Sequence, residues 1–276
     1  MLATFGYDDL GRRPGLTRGN GVVTSYGYDA ASRLTSLGHD LAGTAGDLSL
    51  AFGYNPAGEM VGRTDSNDAY AFTGLTPGSI AYAANGLNQV TSAGAATIAY
   101  DAKGNITSDS TLTFGYSSEN LLTSAGGATR HAGGTTMTYD PLMRLASEAS
   151  SLSPRHLYDG DHSIAEYDSS GTVIARTVFG PAADEPLVWS GYGGPRLFQL
   201  ADERGSIVAT TGDSGALTTT YGSAPINSYD EYGYSPAQDD TRHRYTGQLT
   251  RIRSTSRDIW PVSAPMIEGS PAMVCW

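Results

Sequence analysis

The side chains that could do chemistry are scattered. Five histidines, His39, His131, His156, His162 and His243, stand apart from one another. None belongs to a His-Glu-x-x-His pair that could hold zinc, and no serine occupies a Gly-x-Ser-x-Gly elbow. His156 and His162 flank Asp159 and Asp161, a spacing open to a metal, but a polar hairpin loop is the simpler reading. Asp159/Asp161 and Asp239/Asp240 have the residue types of an acid–base pair. Nothing apolar beside them supplies the desolvation that would raise a carboxyl pKa. Gly191-Tyr192-Gly193-Gly194-Pro195 lacks the surroundings of a phosphate or dinucleotide loop. The one cysteine, Cys275, permits neither an intrachain disulfide nor a cysteine zinc site. The sequence therefore predicts no catalytic, cofactor-binding or metal-binding residues.

What recurs instead is tyrosine followed by aspartate or asparagine. The clearest unit is Tyr100-Asp101-Ala102-Lys103-Gly104-Asn105-Ile106. Tyr7-Asp8 with Gly11, Tyr28-Asp29, Tyr54-Asn55 with Gly58, Tyr116-Ser117 and Tyr139-Asp140 follow the same plan. Asn85 to Val90 is a degenerate copy, with Tyr82 displaced upstream. Tyr158-Asp159 and Tyr167-Asp168 extend the series. The spacing averages roughly 22 residues, a period that marks a repeat architecture.

Each position has a physical reason. The tyrosine closes a strand of alternating character, as in Thr135-Thr136-Met137-Thr138-Tyr139. The Asp or Asn can accept from a backbone N–H two residues on and so start a turn. Glycine, or a residue such as asparagine, supplies the left-handed conformation that follows. Leu, Ile, Val or Met then re-enters a strand. One strand–turn–strand unit cannot bury its own face and must stack on neighbours. No window shows sustained 3.6-residue periodicity, so almost no helix is expected.

Composition agrees. Leu, Ile, Val and Phe total only about 17% of 276 residues, beneath the level at which a charged chain raises suspicion of disorder. Yet charged residues are 16%, and 35 Gly and 17 Tyr replace the missing aliphatics. That balance suits short strands, glycine turns and tyrosine packing. A net charge of −11 offers no basic footprint for nucleic acid or an anionic membrane. No apolar run has the length of a transmembrane helix, and the first residues do not form a signal peptide.

The Tyr-Asp-x-x-Gly-Arg/Asn-Leu/Ile pattern resembles the tyrosine–aspartate (YD) repeats of the rearrangement-hotspot (Rhs) family. Leu157 to Asp161, Ile164 to Asp168, Gly171-Thr172-Val173, Phe179-Gly180-Pro181 and Asp184 to Trp189 resemble the segment after those repeats in bacterial members. Asp202 to Ala209, Tyr229 to Gly233 and Arg244-Tyr245-Thr246-Gly247-Gln248 continue the likeness. It implies an all-β fold, with antiparallel YD hairpins in a curved, twisted sheet that forms part of a β-shell. Three regions are expected. Residues 1–150 form the repeat array, and 151–248 form the post-repeat region and the start of the core-associated region. Residues 249–276 form an unrelated, irregular tail.

Past Gln248 the family's tyrosine-rich strand and Asp-Pro segment are missing. A shifted reading frame is the expectation there, since codons permitting Leu249 to Ile259 can encode an Asp-Pro-containing, tyrosine-bearing stretch two bases on. The chain reads as an excerpt of a longer shell, with cut sheet edges that favour self-association or poor solubility.

The resemblance implies a non-catalytic wall segment of a shell that encloses and delivers a C-terminal toxin. Its partners would be the rest of the shell and that toxin, and the parent protein would be secreted or at the cell surface. The alternative is a module in which tyrosine faces stack on sugar rings and bind carbohydrate or a cell surface.

Overall fold

The computed structural model describes residues 1–74, 79–127, 131–149, 154–191, 193–218, 225–230, 233, 235 and 243–248. The tail expected beyond Gln248 therefore lies outside the described residues, as does Tyr232 of the Tyr229 to Gly233 motif. The all-β expectation holds, with 49% strand and 4% helix. Helical geometry among the described residues is limited to 3-10 turns at Thr44–Gly46, Asp68–Tyr70 and Tyr245–Gly247. Two compact units divide the chain. The first takes Met1–Gly74 and Arg176–Leu249, and the second includes Leu75–Ala175.

The first unit opens with β1 (Ala3–Gly6), β2 (Gly15–Arg18), β3 (Val23–Tyr28), β4 (Leu34–Asp40), β5 (Leu48–Tyr54) and β6 (Met60–Asp65). These form a six-stranded antiparallel sheet in chain order, as a series of hairpins must. Strand alternation sends Leu48, Leu50 and Phe52 of β5 inward and the residues between them to solvent.

In the second unit, β7 (Tyr82–Ala84), β8 (Val90–Ala93) and β9 (Ala96–Thr97) make a three-stranded sheet. Then come β10 (Ala99–Tyr100), β11 (Ile106–Ser108), β12 (Thr113–Tyr116), β13 (Leu122–Gly127), β14 (His131–Tyr139), β15 (Leu145–Ala149), β16 (Arg155–Asp159) and β17 (His162–Tyr167), again neighbours in chain order. The cores here are small. Ala93, Ile98 and Ile106 form one, and Ala125, Met137 and Leu145 another, each completed by repeat tyrosines such as Tyr100 and Tyr139.

The division between units falls inside β18 (Val173–Phe179). Beyond it β19 (Pro186–Gly191), β20 (Arg196–Ala201) and β21 (Ile207–Thr211) pair antiparallel within the first unit. Leu200, Val208 and Ala209 share one core with Val22, Leu37, Leu41, Leu48, Leu50, Phe52 and Tyr70, and Leu187, Val188 and Phe198 close on Leu16. Aliphatics, not tyrosines alone, thus hold this unit. The outer edge of β21 is covered, since Ile207 N–H donates to Arg244 O, Asn227 N–H to Val208 O and Thr210 N–H to Pro225 O.

A buried polar chain ties the two sheets of the first unit. Arg18 donates through Nε and Nη2 to Gln199 O (3.1 and 2.8 Å) and through Nη1 to Thr24 Oγ1 (2.6 Å). Thr24 Oγ1 meets His39 Nδ1 at 2.9 Å, and His39 Nε2 meets Ala201 O at 3.1 Å. Since Ala201 O can only accept, His39 carries its proton on Nε2, and the Thr24 hydroxyl donates to Nδ1. Burial, reinforced by the Arg18 charge, pushes His39 down to about 3, and burial brings Arg18 down to about 10.

Candidate functional site

The repeating element of the chain is a turn with a fixed bonding pattern. At Asp8 the N–H donates to Arg12 O, and Gly11 N–H returns to Asp8 O. Asp8 Oδ1 accepts from the N–H groups of Leu10 (3.0 Å) and Arg12 (2.9 Å), while Oδ2 takes Arg12 Nε at 2.7 Å. A type I turn followed by one left-handed residue is the three-residue hairpin loop that this bonding defines. Gly11 supplies the left-handed residue at φ 73°.

The same pattern returns at Asp29, where Oδ1 accepts from Ala31 and Arg33 N–H, and at Asp101, Asp140 and Asp168. Asn55 and Asn85 accept the N–H four residues on in the same way. Ser117 Oγ replaces the carboxylate after Tyr116, accepting from Glu119 and Leu121. Gly58 and Gly104 match Gly11 with φ of 86° and 89°, whereas Ser32, Asn120 and Met143 adopt the left-handed region without being glycine. At Asp29, backbone and side-chain bonds from Arg33 hold the carboxyl below its usual range. At Asp8 and Asp140 burial pulls upward but the bonds from Arg12 and Arg144 prevail.

The tyrosines join one turn to the next. Tyr28 Oη donates to Arg13 O (3.2 Å), Tyr54 to Leu34 O (2.8 Å), Tyr100 to Val90 O (2.9 Å), Tyr139 to Leu122 O (2.8 Å) and Tyr158 to Leu145 O (2.9 Å). Every acceptor is the residue that follows the preceding turn. The register shifts at Tyr28, Tyr54, Tyr100, Tyr116, Tyr139 and Tyr158, so each tyrosine lies at a β-bulge. The arginine of one turn also covers the ring of the next tyrosine. Arg12 lies 5.1 Å from the Tyr28 centroid, Arg33 4.9 Å from Tyr54 and Arg144 4.6 Å from Tyr158. Tyr7 and Tyr82 depart from this, being 58% and 49% exposed.

Two positions differ from the repeat pattern. Tyr158 takes its place in the tyrosine series, but Asp159 faces His162 directly across a two-residue loop in which Gly160 has φ 57°. Asp202 forms a full repeat turn without a tyrosine before it. Its Oδ1 accepts from Arg204 and Ser206 N–H, Gly205 has φ 83°, and Tyr229 Oη donates to Ile207 O (2.9 Å). The Asp-x-x-Gly-x-Ile spacing is the signal that marks it. Burial, with Glu203 adjacent, pushes the Asp202 carboxyl up.

One arrangement has the order of a hydrolytic triad. Ser163 Oγ lies 3.0 Å from His156 Nδ1, and His156 Nε2 lies 3.8 Å from Glu148 Oε1. The His156 and Glu148 side chains are 0% and 1% exposed, so a substrate has no approach in this conformation. Among the described residues, no group of three or more His, Cys, Asp or Glu is placed to hold a metal ion. No described helix is long and apolar enough to cross a membrane.

No protein-family description matches this chain, and no curated protein matches it. Solved structures do. A Photorhabdus luminescens Tc holotoxin pore containing a TccC3 variant is 14% identical, with a TM-score of 0.58 over 90% of this chain and 16% of that one. A TcdB2-TccC3-Cdc42 structure is 13% identical, with a TM-score of 0.59 over 90% of this chain and 17% of that one. TcdB2-TccC3 without its hypervariable C-terminal region is 13% identical, with a TM-score of 0.57 over the same shares. The chain thus spans about a sixth of the chains that it matches. At such identities the likeness concerns architecture alone: the chain has an antiparallel all-β fold like that of these Tc toxin structures.

Proposed function

We propose that this chain is a non-catalytic wall segment of an Rhs-type shell, whose parent protein encloses and delivers a C-terminal toxic polypeptide outside the producing cell. The observation that carries the proposal is the tyrosine series. Five repeat hydroxyls are committed to backbone carbonyls of the preceding unit. A hydroxyl committed in this way joins hairpin to hairpin, and its proton is no longer available for donation to a sugar. The likeness to Tc toxin structures supports the wall.

The coding sequence on either side, read in all three frames, tests this proposal. Further Tyr-Asp repeats upstream and a core-plus-toxin region downstream are the expected result. Flanks with neither would contradict the shell and favour a free-standing, carbohydrate-binding module.

A further inference from the structure

Strand β6 ends the first unit's six-stranded sheet, and among the described residues its outer backbone edge is unmatched. It pairs with β5 on one side, and among the described residues no strand pairs with the other. All six residues, Met60 to Asp65, are exposed on both faces. An exposed edge of this kind templates pairing with another strand.

The bonding already made by β6 fixes which backbone groups are offered. Ser66 N–H donates to Ser49 O, and Leu50 stands opposite Asp65. In an antiparallel ladder, bonded and non-bonded pairs alternate, so Thr64 turns its amide and carbonyl toward β5. Val61, Arg63 and Asp65 turn theirs toward the open edge.

Three antiparallel registers set Arg63 or Asp65 of one copy opposite Arg63 or Asp65 of a second copy through these groups. Arg63 against Arg63 and Asp65 against Asp65 each place like charges opposite one another, which destabilises a strand pair. Arg63 against Asp65 of the second copy places opposite charges together twice, and a two-fold axis passes between the two Thr64 residues. Arg63 is partly engaged, with Nε 3.2 Å from Glu203 Oε1 and Nη1 at a loose 3.9 Å from Asp65 of its own strand. Its remaining donors are free to reach across.

We propose that β6 is a self-pairing edge, joining two copies of this chain antiparallel with Arg63 opposite Asp65 and Thr64 on the two-fold axis. The inference does not depend on toxin delivery.

Disulfide trapping of the full chain in a Cys275→Ser background tests it. The two Thr64 Cα atoms would stand about 4.5 Å apart, within disulfide reach. Thr64→Cys is expected to give covalent dimers under mild oxidation. Gly62→Cys, with open space around it, is expected to give few. Adding Asp65→Arg to Thr64→Cys should cut the dimer yield by roughly tenfold, and adding Arg63→Asp to that should restore it. Equal trapping at positions 62 and 64, no trapping at 64, or yield indifferent to both charge changes would overturn the proposal.

Discussion

Tyr54 Oη donates to the carbonyl oxygen of Leu34 at 2.8 Å, and Arg33, the neighbour of Leu34, lies 4.9 Å from the centre of the Tyr54 ring. The end of one hairpin is thereby fastened to the start of the strand before it. Tyr54→Phe removes the bond and keeps the ring. It should cost about 1 kcal/mol in urea unfolding of the first unit, and Tyr54→Ala about 3 kcal/mol. Equal losses for the two variants would place all the stabilisation in the ring.

The turn carboxylate acts as a local acceptor for two backbone N–H groups. Asp29→Ala leaves the Ala31 and Arg33 amides without that oxygen, whereas Asp29→Asn retains it. Asn55 and Asn85 show that an amide oxygen serves. The urea midpoint should fall several times further for Asp29→Ala than for Asp29→Asn. Identical midpoints would mean that the Arg33 ion pair dominates the turn.

Met143 occupies a left-handed position at φ 62° and is 59% exposed. A left-handed L-residue carries a cost of roughly 1 kcal/mol that glycine avoids. Met143→Gly should therefore raise the thermal midpoint, a direction opposite to most glycine substitutions. A lower midpoint would show that the Met143 side chain contributes packing that outweighs its backbone strain.

His39 sets an acid limit. Its folded pKa of about 3 lies below the ordinary 6.5, so the unfolded chain takes up a proton before the native one does. The stability it contributes is complete above pH 6.5 and is lost progressively as pH falls toward 3. The turn aspartates, lowered from 3.8, lose theirs only at more acid pH. His39→Gln should flatten the stability profile between pH 6.5 and 4, while leaving the loss below that range in place. An unchanged profile would contradict the buried neutral imidazole.

The repeat turn is legible in the sequence because its bonds are local. The Asp101 carboxylate accepts from Lys103 and Asn105, and Gly104 supplies the required backbone. Even the degenerate Asn85 copy can be recognised. Asp202 escapes because Ala201 stands where the tyrosine is expected, and Asp159 misleads because Gly160 tightens its loop. The link from Arg18 to Gln199 spans 181 residues and leaves no local pattern. The same holds for the division into two units and for the aliphatic core between β1–β6 and β19–β21. Those features arise from strands that are far apart in sequence, so no local pattern records their contacts.

The most direct test of the shell account is limited proteolysis of the full-length parent product, followed by mass spectrometry of its C-terminal region. Enclosure predicts that this region survives intact until the shell itself is unfolded. Digestion at the rate of the same region expressed alone would contradict the account.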